Sequence, residues 1–187
     1  MPDYKASGWL GRRRRMVLAF GGLALLGLFA VGSWAFTTWA LEETGGEKFC
    51  DSCHSMDDQK QAYLRAPHGG NNQVGFQAQC VDCHLPHDSP THYLLSKAKF
   101  GLGDVYAEFF GNPDKVNWAE KRAHGEKYVF DSGCLRCHVR LLEATRRIPA
   151  VFKMHQMHFD AVAAGKDVHC VGCHVDVGHA AEPKNPG

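Results

Sequence analysis

The sequence predicts a mainly α-helical protein. One apolar N-terminal helix precedes a small domain built of two similar units with little or no sheet. Three observations predict this. All eight cysteines of the 187-residue chain fall into four Cys-x-x-Cys-His runs. A 26-residue stretch near the N-terminus, Met16 to Leu41, carries no charge. No later segment shows the period-two alternation of a half-buried strand.

The N-terminal element is the first to justify. Arg12, Arg13, Arg14 and Arg15 precede the apolar run, which exceeds the ~20 residues a membrane-spanning helix needs and the ~7–15 of a signal-peptide core. The alternative, a cleaved signal with a twin-arginine export variant, fits that length less well. The arginines place the N-terminus in the cytoplasm by the positive-inside bias. Trp9 is an anchor for the near interface, and Trp34 and Trp39 for the far one. The expected organisation is a basic cytoplasmic segment over 1–15, an anchor over 16–41 in the cytoplasmic (inner) membrane, and a periplasmic domain over 42–187. A net charge of +1 argues against a nucleic-acid partner, and the arginine run is a topology signal.

The four runs pair Cys50, Cys53 and His54; Cys80, Cys83 and His84; Cys134, Cys137 and His138; and Cys170, Cys173 and His174. Zinc knuckles or a disulfide framework would also use paired cysteines, but neither requires histidine directly after the second one. Histidine is 12 of 187 residues, so four such placements by chance have a probability on the order of one in a hundred thousand. Cys-x-x-Cys-His is the attachment signature of c-type haem: both thiols bond to the porphyrin and the histidine ligates iron. The chain is read as a tetrahaem cytochrome c with four covalent haems and no cysteine left over.

Some 145 residues must wrap four haems, so the porphyrins themselves form the core. The longest helix is expected over 91–111, started by Ser89-Pro90 and stopped by Gly111-Asn112-Pro113. Further helices are expected over 116–130 and 141–147. "HGGNNQVG" and "AEPKNPG" read as turn and tail. A weak repeat runs through the histidines: His54, His68, His84, His87 in one half and His138, His155, His174, His179 in the other. The matched positions make His68, His87, His155 and His179 the leading second axial ligands. His92, His124, His158 and His169 lack counterparts, and His158, three after His155, is that residue's nearest rival.

These features together resemble the NapC/NirT/NrfH group of membrane-anchored tetrahaem quinol dehydrogenases. The similarity rests on the single anchor, "FCDSCHSM", "PHGGNNQVGFQAQCVDCHLPH", "KMH" at Lys153 to His155, and "CVGCHVDVGH". The resemblance implies that His68, His87, His155 and His179 are distal ligands. It also implies that electrons come from the membrane pool of menaquinol or ubiquinol and go to a periplasmic reductase of nitrite or nitrate type.

Met56, two residues past His54, is a thioether that could ligate iron and raise its potential, or pack against the porphyrin as an apolar contact while His54 ligates. Similarity to NrfH-like members implies the first role. Lys97 and Asp104 lie seven apart on one face of the expected long helix, together with Phe100, Gly101 and Glu108. The same similarity gives Lys97 to the quinol and Asp104 to the distal side of the first haem, with Lys99 a nearby competitor. Other readings are an electron-transfer anchor subunit without a quinol site, and a quinone reductase running in reverse.

Overall fold

The computed structural model describes residues 4–181 and divides into two compact units, 1–44 and 45–187. The tail from 182 on lies outside the described residues. The first unit is one helix, α1, Tyr4–Glu43. Its 40 residues extend about 60 Å at 1.5 Å per residue. Within it Gly11–Glu43 has a mean hydropathy of 2.1 and the length to cross a membrane, with none of its apolar surface covered by protein. On the span the Thr38 hydroxyl is satisfied within the helix, as lipid requires, donating to the Trp34 and Ala35 carbonyls.

The second unit is a series of short helices: α2 (Glu47–Cys50), α3 (Asp57–Arg65), α4 (Cys80–His84), α5 (Pro90–Phe110), α6 (Trp118–Ala123), α7 (Asp131–Cys137), α8 (Leu141–Thr145) and α9 (Pro149–Ala163). Among the described residues the nearest thing to a sheet is one isolated antiparallel bridge, Gly69 to Gln77. The long helix starts as the sequence dictates. Ser89 caps it by accepting the His92 N–H, Pro90 takes the first turn, and Gly111 ends it.

Two expected helices are shorter than read. The one over 116–130 stops at Ala123 and continues as a separate 3-10 turn, Gly125–Lys127, because the backbone leaves the helical region at His124. The third ends at Thr145. Five helices were not anticipated, α2, α3, α4, α7 and α9; the longest of them are α3 and α9. The latter has Pro149 in its first turn and closes on Gly165 at φ 73°. There the Gly165 N–H reaches Val162 and the Lys166 N–H reaches Ala161, a Schellman ending.

Little conventional core exists. The buried apolar side chains are Ala62, Tyr63, Ala66, Ala78 and Leu85, with Pro86 fully enclosed. They gather on α3, which buries Gln59, Ala62 and Tyr63 at helical spacing. The loop after α3 folds back over it. Its turns are set by Gly70 at φ 99° and Gly75 at φ 67°, and by the Asn72 amide, which bonds to Pro67, Val74 and Phe76 backbone. Gly69 passes so close to α3 that a Cβ there would sit 1.8 Å from the Tyr63 carbonyl oxygen. Gly69→Ala should therefore lower stability by about 2 kcal/mol or more in a thermal melt and disturb the adjoining His68. Gly101→Ala, whose Cβ meets nothing within 4 Å, should melt like wild type.

Candidate haem sites

Each Cys-x-x-Cys-His run sits on its own short helix or turn, and the runs abut in chain order. The Cys50 and Cys80 thiols share a hydrogen bond that lowers Cys50 and raises Cys80. Phe130, at the start of α7, donates its N–H to the Cys83 carbonyl at 3.0 Å. A Cβ on Gly133 would lie 2.0 Å from the Asp82 carbonyl oxygen, so α7 can rest on α4 only with glycine there. Asp131 accepts the Cys170 N–H at 3.0 Å, and the Cys170 thiol hydrogen-bonds Cys134, bringing that thiol down to about 7.

The histidines show which side chains can hold iron. Two imidazoles on opposite sides of one metal, each bonded through nitrogen at about 2 Å, hold their ring centres roughly 6 Å apart. Three pairs have that spacing: His84 with His179 at 6.1 Å, His138 with His68 at 6.1 Å, and His174 with His155 at 6.0 Å. In each pair at least one ring is held by a backbone carbonyl. Nδ1–H of His68 donates to Val177 at 3.2 Å, that of His84 to Tyr128 at 2.9 Å, that of His155 to Val151 at 2.9 Å and that of His179 to Gln59 at 3.0 Å. A carbonyl only accepts, so Nδ1 carries the proton and Nε2 keeps its lone pair for a metal. Desolvation lowers the His179 pKa, favouring the neutral ring a metal needs. The donor set and spacing fit three bis-histidine haems. Beside His138, a cavity of about 570 Å³ is lined by Leu135, Leu141, Leu142 and Phe159 among others.

His87 stands apart from these pairs. Its Nε2–H donates to the Val81 carbonyl at 3.1 Å, and its Nδ1 accepts from Arg136 at 3.2 Å. Both ring nitrogens are thus engaged. It ties the second motif to the third, helped by Arg136 reaching Asp82 at 3.6 Å. His92 meets Asp88, His124 meets Glu126, and His169 lies between Asp131 and Asp167. His158 comes within 4.0 Å of the Cys170 sulfur and beside Asp131, at the edge of the fourth motif.

The first motif differs from the others. His54 is clamped by two carboxylates, Nδ1 on Glu108 at 2.9 Å and Nε2 on Asp114 at 3.2 Å. The Asp114 hydrogen bond, then Glu108, raises its pKa above the ordinary value. Ser55 donates to the other Glu108 oxygen at 2.7 Å. Met56 closes the 3-10 turn His54–Met56 and is half-buried. Lys97 and Asp104 lie on the α5 face turned toward this motif. Burial lowers Lys97, opposed by the nearby Cys50, and desolvation raises Asp104, opposed by Lys121. Both act electrostatically on Cys50. Asp114 is 60 residues from His54, so no local sequence pattern could have paired them. Glu108 was visible on the helical face, though its partner was not.

Known proteins place this architecture. The family model described as the NapC/NirT cytochrome c family, N-terminal region, matches residues 13–184. The tetraheme c-type cytochrome CymA of Shewanella oneidensis is 31% identical over 80% of this chain and 83% of that protein. The cytochrome c-type protein NapC of Paracoccus pantotrophus is 31% identical over 84% of this chain and 69% of its own. A chain in the crystal structure of the cytochrome c nitrite reductase NrfHA complex bound to the HQNO inhibitor superposes with a TM-score of 0.53 at 28% identity. It covers 89% of this chain and 93% of that one.

Replacing His68, His155 or His179 by alanine should each convert one low-spin haem to a high-spin signal in electron paramagnetic resonance. His87→Ala, His92→Ala and His124→Ala should leave the low-spin count unchanged.

Proposed function

The chain belongs to the NapC/NirT cytochrome c family, and from that premise we propose that it is a membrane-anchored tetrahaem cytochrome that oxidises membrane quinol, menaquinol or ubiquinol, and delivers the electrons to a periplasmic reductase. In this reading α1 stays in the inner membrane with its arginines in the cytoplasm, and the haem domain lies in the periplasm. Cys50, Cys53, Cys80, Cys83, Cys134, Cys137, Cys170 and Cys173 carry the haems. His84 with His179, His138 with His68, and His174 with His155 are the axial pairs. Met56 ligates at the first motif, where His54 is held away by its two carboxylates.

The observation that carries the reading is the Lys97 and Asp104 pair on the α5 face beside Cys50. Quinol oxidation releases two electrons and two protons. When bound, the haems supply the one-electron chemistry and the route between motifs. The protein supplies the rest. The Lys97 ammonium donates to a quinol oxygen and orients it. The Asp104 carboxylate accepts a hydroxyl proton, and its raised pKa makes it a better base than an ordinary aspartate. An anchor subunit without quinol chemistry has no use for this pair. The name of the solved relative, a nitrite reductase complex, supports a reductase of that class as the acceptor.

Replacing Lys97 or Asp104 by alanine should abolish quinol-driven reduction while dithionite still reduces all four haems. Wild-type turnover in Asp104→Ala, or a bis-histidine signal from the first haem, would overturn the assignment.

The pH dependence follows from the direction of the shift. Asp104 works ionised, so the rate should fall as pH drops through its pKa, above the ordinary 3.8. The residual activity of Asp104→Asn should lack that acid limb.

A further inference from the structure

Helix α5 has two faces of opposite character. The inner one holds it to the haem domain: Ser96 is buried, the Phe100 ring lies 6.2 Å from Phe130, and Glu108 clamps His54 and Ser55. Lys97, Asp104 and Glu108 share this side at spacings of seven and four. Leu95, Leu102, Tyr106 and Phe109 follow spacings of seven, four and three, about 200° round the helix from Lys97 at 100° per residue. They form a second stripe, extended by Phe110. Leu102 is 72% exposed, Phe109 76% and Phe110 77%. Cys50 lies within electrostatic reach of Lys97 and Asp104, so a haem attached there would start from the face opposite this stripe. Leu95 and Tyr106 are exposed as well, and a contiguous exposed apolar stripe of this kind marks an interaction surface.

We propose that this outer face of α5 is a membrane-docking surface, seated in the interfacial layer of the lipid bilayer. Three observations select lipid over a protein partner. First, the haem domain begins at Gly45 and the membrane-spanning helix ends at Glu43. One intervening residue reaches under 4 Å, so the chain itself tethers the start of the domain to the end of the span. Second, the stripe carries one charge, Lys99, between Tyr106 and Phe110 on the helical wheel, where a long side chain can lift its ammonium to the headgroups. Third, its C-terminal half is aromatic, with Tyr106 and Phe110 stacked at 5.3 Å, the composition favoured where apolar and aqueous phases meet. The proposal goes beyond the quinol reading and stands without it. If both hold, α5 separates lipid on one side from the Lys97 and Asp104 pair on the other.

The test uses the full haem-loaded chain in nanodiscs of phosphatidylethanolamine and phosphatidylglycerol. A photoreactive benzoylphenylalanine replaces Leu102 or Phe109, and in a control it replaces Val74, exposed on a different loop. Dithionite spectra confirm that each variant is folded and loaded. After irradiation, mass spectrometry should find phospholipid adducts at positions 102 and 109, about tenfold above position 74. Absence of lipid adducts at both positions, or crosslinks there to a second copy of the chain, would overturn the proposal. The readout is lipid contact rather than turnover, so its failure leaves the quinol assignment standing, and the converse holds.

Discussion

The haem domain depends on imidazole rings held at a fixed spacing by backbone carbonyls. Among the described residues five apolar side chains and one proline are buried by protein alone, too few to offset the conformational entropy of ordering so long a segment, at about 1–2 kcal/mol per residue for the backbone alone. What the fold does instead is aim histidines. His68, His84, His155 and His179 each give Nδ1–H to a main-chain oxygen, which fixes both the tautomer and the ring direction. The remaining nitrogen points at a partner ring about one metal's width away. A ring so held loses little further freedom when it binds, and that favours ligation.

The pairing also explains why the two halves of the sequence cannot act separately. His155 pairs with His174 inside the second half, but His68 from the first half faces His138, and His179 from the C-terminal segment faces His84. The C-terminal segment is held on α3 by the Ala180 N–H to Ala62 at 3.0 Å, next to the His179 bond to Gln59. Each half thereby lends a ring to the other. The motif helices are locked by the same economy. Gly133 lets α7 touch α4, and Asp131 at the start of α7 takes the Cys170 N–H.

Much of this was legible in the residues. The four runs announce their cofactor because the chemistry demands that spacing, and the uncharged run after four arginines announces its helix. The cap and stop of α5 were readable because Ser89, Pro90 and Gly111 act locally. The repeat singled out His68, His155 and His179, and each of these rings lies about 6 Å from a motif histidine. The same rule pointed to His87, whose two ring nitrogens here meet the Val81 carbonyl and Arg136. A repeat records position in the chain, while ligation depends on whether both ring nitrogens are already spoken for. Arg136 and the Val81 carbonyl engage His87 from 49 and 6 residues away. The Asp114 clamp on His54 was invisible for the same reason, being a contact across sixty residues of chain.

That clamp accounts for the asymmetry among the four motifs. A histidine that follows its second cysteine is covalently placed to ligate, and three of the four here have a second ring opposite. At the first motif Glu108 and Asp114 favour the protonated imidazole, a form with no lone pair to offer a metal. A neutral thioether such as Met56 meets no such competition, because a carboxylate neither protonates nor hydrogen-bonds sulfur usefully. Glu108 lies on the same helical face as Lys97 and Asp104. In the proposed reading Glu108 from this helix and Asp114 beyond it hold His54, while Lys97 presents a cation and Asp104 a carboxylate of raised pKa. The electrostatic character of α5 is what sets the first motif apart from the three closed pairs.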